Sequence, residues 1–321
     1  MLTRSAVQRL LRPSQTRACS SVKQADAYCL ELVKTHDYES FVSGLLVPKQ
    51  HRGIYYALRA FNVEMATIKD QIPRNNVNAG RIRFQFWRDS LHQLYEGRGL
   101  SPSNNQPVAK ALQHHMAHRD LKLRWFERMI ESRFSDTMSP GSFESMGDLE
   151  TYAEASHSSM LYLTLEAMGV RDENAEFMAS HLGVCRGILT LLRGHAFHSS
   201  QGTCYFPRAV MEKHGLTLSE AMGVPKGELA ADSPASQRFR DVVNDLASQA
   251  HAHLSRASEL GKQGLPAGAI YALLPAVGAR MHLDALEQQD FLLVGGQEDA
   301  SHFFNLKLQL RLLMFLVQKE V

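Results

Sequence analysis

The chain has 321 residues, of which 44% are hydrophobic, and this length and composition allow a sizeable buried core. Its 35 lysine and arginine residues nearly balance its 33 aspartate and glutamate residues, which gives a formal net charge of +2 at pH 7. Such an even balance provides no broad basic surface and argues against a nucleic-acid partner. No stretch is apolar over the roughly 20 residues that a membrane-spanning helix requires.

Residues 1–25 differ in composition from the rest of the chain. They contain five basic residues and no acid, and the first acid of the chain is Asp26. The arginines interrupt the apolar core of about 7 to 15 residues that a secretory signal needs, whereas arginine, serine and threonine without acids are typical of a mitochondrial transit peptide. We therefore predict a disordered transit peptide at 1–25, mitochondrial localisation and a folded region at 26–321. The alternative is a disordered basic tail.

Helical periodicity runs through most of the folded region, and no strand-like alternation persists for long. Glycine, proline and small polar residues mark linkers at 97–107 and 215–234, but neither is long enough to separate domains. The predicted class is therefore all-α with a single domain. The predicted helices are 26–38, 48–70, 78–96, 105–135, 144–169, 172–196, 234–262, 267–288 and 301–319.

The predicted helix at 172–196 has two unlike faces. Its leucine and isoleucine side chains fall at helical spacing on one side, and Arg186, Thr190 and Arg193 share the other. This pattern indicates a largely buried helix that faces a polar cavity. The predicted helices at 48–70 and 78–96 are amphipathic as well, and the second ends at Gly97.

Six segments together resemble the squalene and phytoene synthase family, in the order in which that family has them. The resemblance covers roughly residues 28–320, and it implies an isoprenoid-synthase-like helical bundle. The segments are Leu45–Phe61 with Pro48 and Arg52, Arg83–Leu91 with Trp87, Tyr152–Glu154, the helix at 182–193, Tyr205–Gly215 with Pro207, and Ala272–Ala276.

Active members of this family hold magnesium between two aspartate-rich motifs, because a departing diphosphate needs its charge neutralised. With Phe61 as anchor, the first motif falls on Ala66, Thr67 and Asp70, so one acid of three remains. The second motif falls on residues 194–198, which contain no acid. Since no Asp or Glu occurs between Glu176 and Glu212, no small shift of register restores it.

The resemblance therefore predicts a protein that is not an enzyme, with no catalytic, cofactor-binding or metal-binding residues. In place of the family's site we predict a vestigial pocket, for which the candidate residues are Glu64, Asp70, Arg186, Thr190 and Arg193. The two arginines either attract a diphosphate or lipid phosphate by charge or pair with Glu64, Asp70, Glu154 or Glu166 across a polar seam.

Further segments, 61–64, 86–87 and 247–251, resemble a mitochondrial, non-catalytic branch of the same family that acts early in the assembly of respiratory complex I. That resemblance implies action on the matrix side of the inner membrane and contact with complex I subunits or assembly intermediates. The alternative function is a prenyltransferase or prenyl-lipid-binding protein with an altered metal site.

The segment at 303–319 is apolar on nearly every side but too short and too charged to span a bilayer. One interpretation is a C-terminal helix packed in the core. In the other, Lys307, Arg311 and Lys319 rest beside leucines on an anionic membrane surface as a peripheral contact.

Overall fold

The computed structural model describes residues 22–72, 77–101, 103–227, 230, 232–262, 264–293 and 298–318. These residues form helices and contain no strand, so the predicted all-α class is confirmed. The helices are α1 (Val22–His36), α2 (Tyr38–Leu46), α3 (Lys49–Thr67), α4 (Val77–Tyr95), α5 (Pro107–Met116), α6 (Leu123–Met138), α7 (Met146–Ala153), α8 (Ser159–Ala167), α9 (Glu173–Arg193), α10 (His195–Ser200), α11 (Arg208–His214), α12 (Leu218–Gly223), α13 (Pro234–Gly261), α14 (Ala269–Leu273), α15 (Pro275–Gln288) and α16 (Glu298–Gln318).

The first helix begins at Val22, ahead of the expected boundary at residue 26, and its Ala25 is buried in the core. Residues 1–21 of the predicted transit peptide lie outside the described residues. The predicted helix at 26–38 ends at His36 because the Asp37 carboxylate accepts a hydrogen bond from the Ser40 amide at 3.2 Å and caps a new helix, α2. The sequence analysis did not predict α2, which carries Glu39 into the interior.

The hydrophobic core is one connected cluster that runs from α1 to α16. At its centre, the Phe61 ring of α3 lies edge-on to Trp87 of α4 and Phe126 of α6, with ring centroids 5.2 Å and 5.3 Å away. All three side chains are buried. Edge-to-face aromatic pairs add to the stabilisation that burial itself provides, so these contacts hold α3, α4 and α6 together.

Helix α9 is the central element, and it packs against α7, α8, α13 and a π-helical turn, Glu154–Ser158, which joins α7 to α8. Two glycines of α9 allow the close approach. A Cβ atom at Gly183 would overlap the backbone of Ser158, and one at Gly187 would overlap Ala153. The turn and α9 therefore lie nearly in backbone contact, which positions His157 beside Arg186 at the cavity described below.

Several predicted boundaries differ from the structure. The predicted helix at 105–135 is interrupted between α5 and α6, and the one at 267–288 is divided into α14 and α15 at Pro275, which removes a backbone donor. The predicted linker at 215–234 contains the short helix α12, which begins with a capping box formed by Thr217 and Glu220. Across the described residues, no helix combines the length and apolarity needed to cross a bilayer.

Helix α16 packs on α2 and α15 with one face only. Its residues Leu308, Leu312 and Phe315 are buried, and Arg311 pairs with Asp284 at 3.2 Å. The other face is exposed and apolar, and we call it the α16 outer face. It consists of Leu306, Leu310, Leu313 and Met314, each between 54% and 57% exposed. The interpretation of a C-terminal helix packed in the core therefore holds for one face of α16 and not for the other. Lys319 lies outside the described residues.

Candidate functional site: a basic cavity beside α9

A cavity of about 350 Å³ lies between α3, α6, α9 and the π-helical turn. Four of the five residues predicted for the vestigial pocket line it, namely Asp70, Arg186, Thr190 and Arg193. The 3.6-residue period of α9 places the last three on one face. Ala66 and Thr67 also line the cavity, so the two segments that the sequence analysis compared with the aspartate-rich motifs do face the same space.

Glu64, the fifth predicted residue, does not line this cavity. Its carboxyl lies near Tyr28 of α1 and Gln106 at the start of α5. Burial raises the pKa of Glu64, although hydrogen bonds from Gln106 and Tyr28 act in the opposite direction. Residue 64 lies two positions before Ala66, and two positions turn a helical side chain by about 200°, which explains why this expectation was wrong.

Arg186 and Arg193 are ion-paired, but not with any of the four acids proposed from the sequence. Their Nη1 atoms lie 3.0 Å from Glu39 Oε2 and 2.5 Å from Glu39 Oε1, respectively. His282 Nε2 lies 2.7 Å from the same Oε1 atom. Burial alone would raise the pKa of Glu39, but the charges of Arg193 and Arg186, together with His282, hold it well below its usual value.

The acids that were expected as partners have other contacts. Glu154 pairs with Arg128 and accepts a hydrogen bond from the Tyr162 hydroxyl at 3.0 Å. Glu166 accepts one from the Trp125 ring nitrogen, also at 3.0 Å. A polar seam therefore exists as predicted, but α2 supplies its acid.

Three basic residues of the cavity were not singled out from the sequence. Arg59 of α3 is 4% exposed and lies over the Tyr55 ring, with its guanidinium carbon 5.3 Å from the ring centroid. Arg133 of α6 donates to the Tyr152 hydroxyl at 2.6 Å. Lys69 donates to Asp136 at 3.1 Å and to the Tyr205 hydroxyl at 2.7 Å. The sequence did contain a signal for Arg59, because it is an arginine at an apolar position of a buried helix.

The cavity disfavours further positive charge. Burial and the charges of Arg133, Arg186, Arg59 and Arg193 lower the pKa of His157 well below its usual value. Burial and the charge of Lys69 lower the pKa of His198 to about 4. Both imidazoles are therefore neutral at pH 7, and the positive charge of the cavity belongs to lysine and arginine.

The lining does not fit a magnesium cluster of the kind that the family's active members hold. Among the described lining residues the carboxylates are Asp37 and Asp70, and Asp37 caps α2. Burial raises the pKa of Asp70, which opposes its ionised form. Over the described ranges, no group of three or more His, Cys, Asp or Glu side chains is placed to hold a metal. Magnesium prefers several oxygen ligands, whereas basic side chains predominate here.

Comparison with known proteins agrees with this architecture. The family model for squalene/phytoene synthase matches residues 33–312, and the chain therefore belongs to the squalene/phytoene synthase family. A solved structure of a dehydrosqualene synthase in complex with ligand superposes with a TM-score of 0.73 at 20% identity, covering 92% of this chain and 98% of that one. At this identity the likeness establishes the fold, and it confirms the predicted isoprenoid-synthase-like helical architecture.

Relatives with higher identity are named as complex I assembly factors and not as synthases. A protein of Rattus norvegicus named NADH dehydrogenase (ubiquinone) complex I, assembly factor 6 is 36% identical over 270 residues, which are 84% of this chain and 76% of that protein. A Drosophila melanogaster protein named as its homolog is 33% identical over 273 residues, 83% of this chain and 76% of its own length. The similarity extends over most of each chain.

Proposed function

We propose that this protein is an assembly factor for mitochondrial respiratory complex I (NADH:ubiquinone oxidoreductase). The observation that carries the proposal is the identity of 36% over most of both chains with a relative that bears this name. The partners would be complex I subunits or assembly intermediates. The protein would act early, when the first intermediates are built.

The proposed mechanism is non-catalytic. Synthase chemistry on a prenyl diphosphate needs magnesium to neutralise the leaving group, and the cavity offers mainly arginine and lysine where that metal would have to bind. The scaffold would then be retained for its shape, and the protein would act by binding a partner.

The proposed location is the matrix side of the inner membrane. The composition of residues 1–25, basic and free of acids, supports import into mitochondria. The α16 outer face, with Lys307 beside it, supports a peripheral contact with an anionic bilayer, because exposed leucines flanked by a cation suit the lipid headgroup boundary.

The test is complementation in cells that lack this protein, with complex I quantified on native gels. Asp70→Ala is expected to restore complex I to the wild-type level, because a binding scaffold does not need the last acid of the former motif. The matched control is Asp89→Ala, which changes an acid of α4 outside the cavity lining. If Asp70→Ala protein is folded and abundant but complex I is missing, the non-catalytic mechanism is wrong.

A second experiment addresses catalysis directly. Purified protein is incubated with magnesium and farnesyl or geranylgeranyl diphosphate, and diphosphate release is measured against a heat-denatured sample. We expect no release above that control. Turnover that Asp70→Ala abolishes would instead establish a prenyltransferase with an altered metal site.

A further inference from the structure

A second, open hollow of about 700 Å³ lies between α6 and α7, and we call it the α6–α7 groove. None of its lining residues also lines the cavity beside α9. Its volume lies within the range of small-molecule sites. The lining residues that carry the following argument are Glu131, Phe134, Asp136, Met138, Phe143 and Tyr152.

Asp136 is the buried carboxylate of the groove, with a side chain that is only 3% exposed. Lys69 donates to its Oδ2 atom at 3.1 Å, and the Tyr205 hydroxyl also bonds to this carboxylate. The Oδ1 atom is buried and has no hydrogen-bond partner among the residues that the structure describes. A buried acceptor without a donor is costly, and native proteins rarely leave one in this state.

The position of Asp136 between the two hollows indicates which one Oδ1 serves. Lys69 lines the cavity beside α9 and not the groove, whereas Asp136 lines the groove and not the cavity. Because the lysine occupies Oδ2, Oδ1 is the oxygen left for a group that lies in the groove.

This group has to supply a hydrogen and not a charge, because the charged side chains of the lining already have partners. The partners are Lys69 for Asp136, Arg88 for Glu131, Glu154 for Arg128, and the Ser145 amide in the capping box for Asp148. A further cation beside Asp136 would be repelled by Lys69, and an anion would be repelled by Asp136 itself. The electrostatics of the groove therefore favour an uncharged ligand.

The walls around Asp136 are aromatic. Phe134 and Phe143 are half-buried and pack against the core, and the Tyr152 ring lies 5.4 Å from that of Phe143. Met138 adds a further half-buried apolar side chain. Aromatic side chains bury a large apolar area and stack on flat rings, so these walls suit a planar apolar body.

We propose that the α6–α7 groove binds an uncharged organic molecule that has an aromatic body and donates one hydrogen bond, from an N–H or O–H group, to Oδ1 of Asp136. A hydrogen bond to an ionised carboxylate is stronger than one between neutral groups, so this donor contributes much of the selectivity. The proposal goes beyond the role in complex I assembly and does not depend on it, because it concerns the purified protein.

The probe is indole, titrated into the full chain and followed by ligand-observed NMR. The indole N–H is a donor and the ring has no acceptor, and 1-methylindole differs by the loss of this donor. We expect saturable binding of indole and binding of 1-methylindole that is about tenfold weaker or more, the effect of losing a hydrogen bond to a charged group. Benzylammonium, an aromatic cation, is expected to bind more weakly than indole.

Asp136→Asn separates a ligand-binding carboxylate from a structural one. Since Lys69 needs an acceptor, the amide oxygen is expected to face Lys69, which places the amide nitrogen, a donor, where Oδ1 was. The variant should therefore bind indole and 1-methylindole about equally. A structural role of Asp136 would instead lower the affinity for both probes alike and keep the preference for indole.

A second variant locates the binding site and serves if Asp136→Asn does not fold. Ser135→Phe places a large side chain in the groove from an exposed position of the lining and is expected to weaken indole binding about tenfold or more. The matched control is Ser248→Phe, at an exposed position of α13 outside both linings, which should bind as the wild type does.

The proposal is overturned if indole shows no saturable binding up to about 5 mM, or if the wild type binds indole and 1-methylindole equally. Tighter binding of benzylammonium than of indole would show that Asp136 recruits a cation, which also overturns it. The same holds if Ser135→Phe leaves the affinity for indole unchanged, or if a folded Asp136→Asn protein keeps the preference for indole.

Discussion

Glu39 precedes the six segments that resemble the family, yet its carboxylate pairs with two arginines that line the cavity. One carboxylate contacts Arg186, Arg193 and His282, and its side chain is 15% exposed. Because the carboxylate is shared, removing its charge would take this counter-ion from the largely buried guanidinium of Arg186 and from the partly exposed one of Arg193. Glu39 thus connects α2 to α9 and α15.

Replacement of this carboxylate should therefore be costly. We expect Glu39→Gln to lower the free energy of unfolding by about 3 kcal/mol, the usual effect of removing one member of a buried ion pair. Chemical denaturation measures the change. Glu31→Gln, whose carboxylate is 69% exposed, is the control and should change stability by less than about 0.5 kcal/mol. Equal stability of the two variants would contradict this account of Glu39.

At the scale of elements, the contact of α9 with the π-helical turn forms one wall of the cavity. It exists because Gly183 has no Cβ, since any larger residue would meet the backbone of Ser158. π-helical turns often occur at functional sites, and here the turn places His157 in the cavity wall. The shape of the site therefore depends on a residue with no polar side chain.

Gly183→Ala is expected to destabilise the protein by roughly 1 to 3 kcal/mol, although alanine favours a helix more than glycine does. The matched control is Gly147→Ala in α7, where the added Cβ would meet only Ser145 Oγ at 3.6 Å. That control should be neutral or slightly stabilising. Thermal unfolding of both variants measures these changes in stability. A Gly183→Ala protein as stable as the wild type would show that the turn can move away from the added Cβ atom.

The α16 outer face allows a second prediction for an element. If it contacts lipid, Leu310→Glu should reduce co-sedimentation with vesicles that contain anionic phospholipid about tenfold or more, because leucine burial supplies part of the binding free energy. Folding should be unaffected, since Leu310 is 57% exposed. The control Leu218→Glu replaces a leucine of α12 that is 52% exposed. Equal sedimentation of both variants would exclude α16 as the membrane contact.

At the scale of the whole molecule, buried histidines make stability depend on pH. Burial lowers the pKa of His195 to about 4, and burial with the charge of Lys69 lowers that of His198 to about 4 as well. The ordinary value is 6.5. Between these values the unfolded chain takes up protons that the folded protein does not, so the folded state loses stability as the pH falls from 6.5 towards 4.

We expect each of these histidines to lower the free energy of unfolding by about 1.4 kcal/mol per pH unit within that range. Urea denaturation at several pH values measures the slope. His198→Gln should reduce the slope by the share of one histidine, whereas His251→Gln, at an exposed position of α13, should leave it unchanged. A slope that His198→Gln does not alter would show that His198 takes up its proton equally in the folded and the unfolded protein.

Much of the architecture was predictable because it depends on neighbours in sequence. The apolar spacing in α3, α4 and α9 predicts these helices, and the 3.6-residue period places Arg186, Thr190 and Arg193 on one face. The same reasoning failed at Asp37, where a short side chain caps α2 in a stretch for which no helix was predicted. Local sequence patterns predicted the helices and the residues that share a helical face. Where one helix ends and the next begins depended on single hydrogen bonds, such as that of Asp37.

The sequence by itself determined the family, the helical class and the absence of acids between Glu176 and Glu212. Only the tertiary structure decided which charges are neutralised. Glu39 and Arg186 are 147 positions apart, and Arg59 lies in an otherwise apolar stretch. The physical reason is that pairing depends on distances of a few ångströms between distant segments, and packing alone sets those distances. Four of the five predicted residues line the cavity, whereas Arg59 and Arg133, for which the described residues provide no ion pair, became apparent only from the packing.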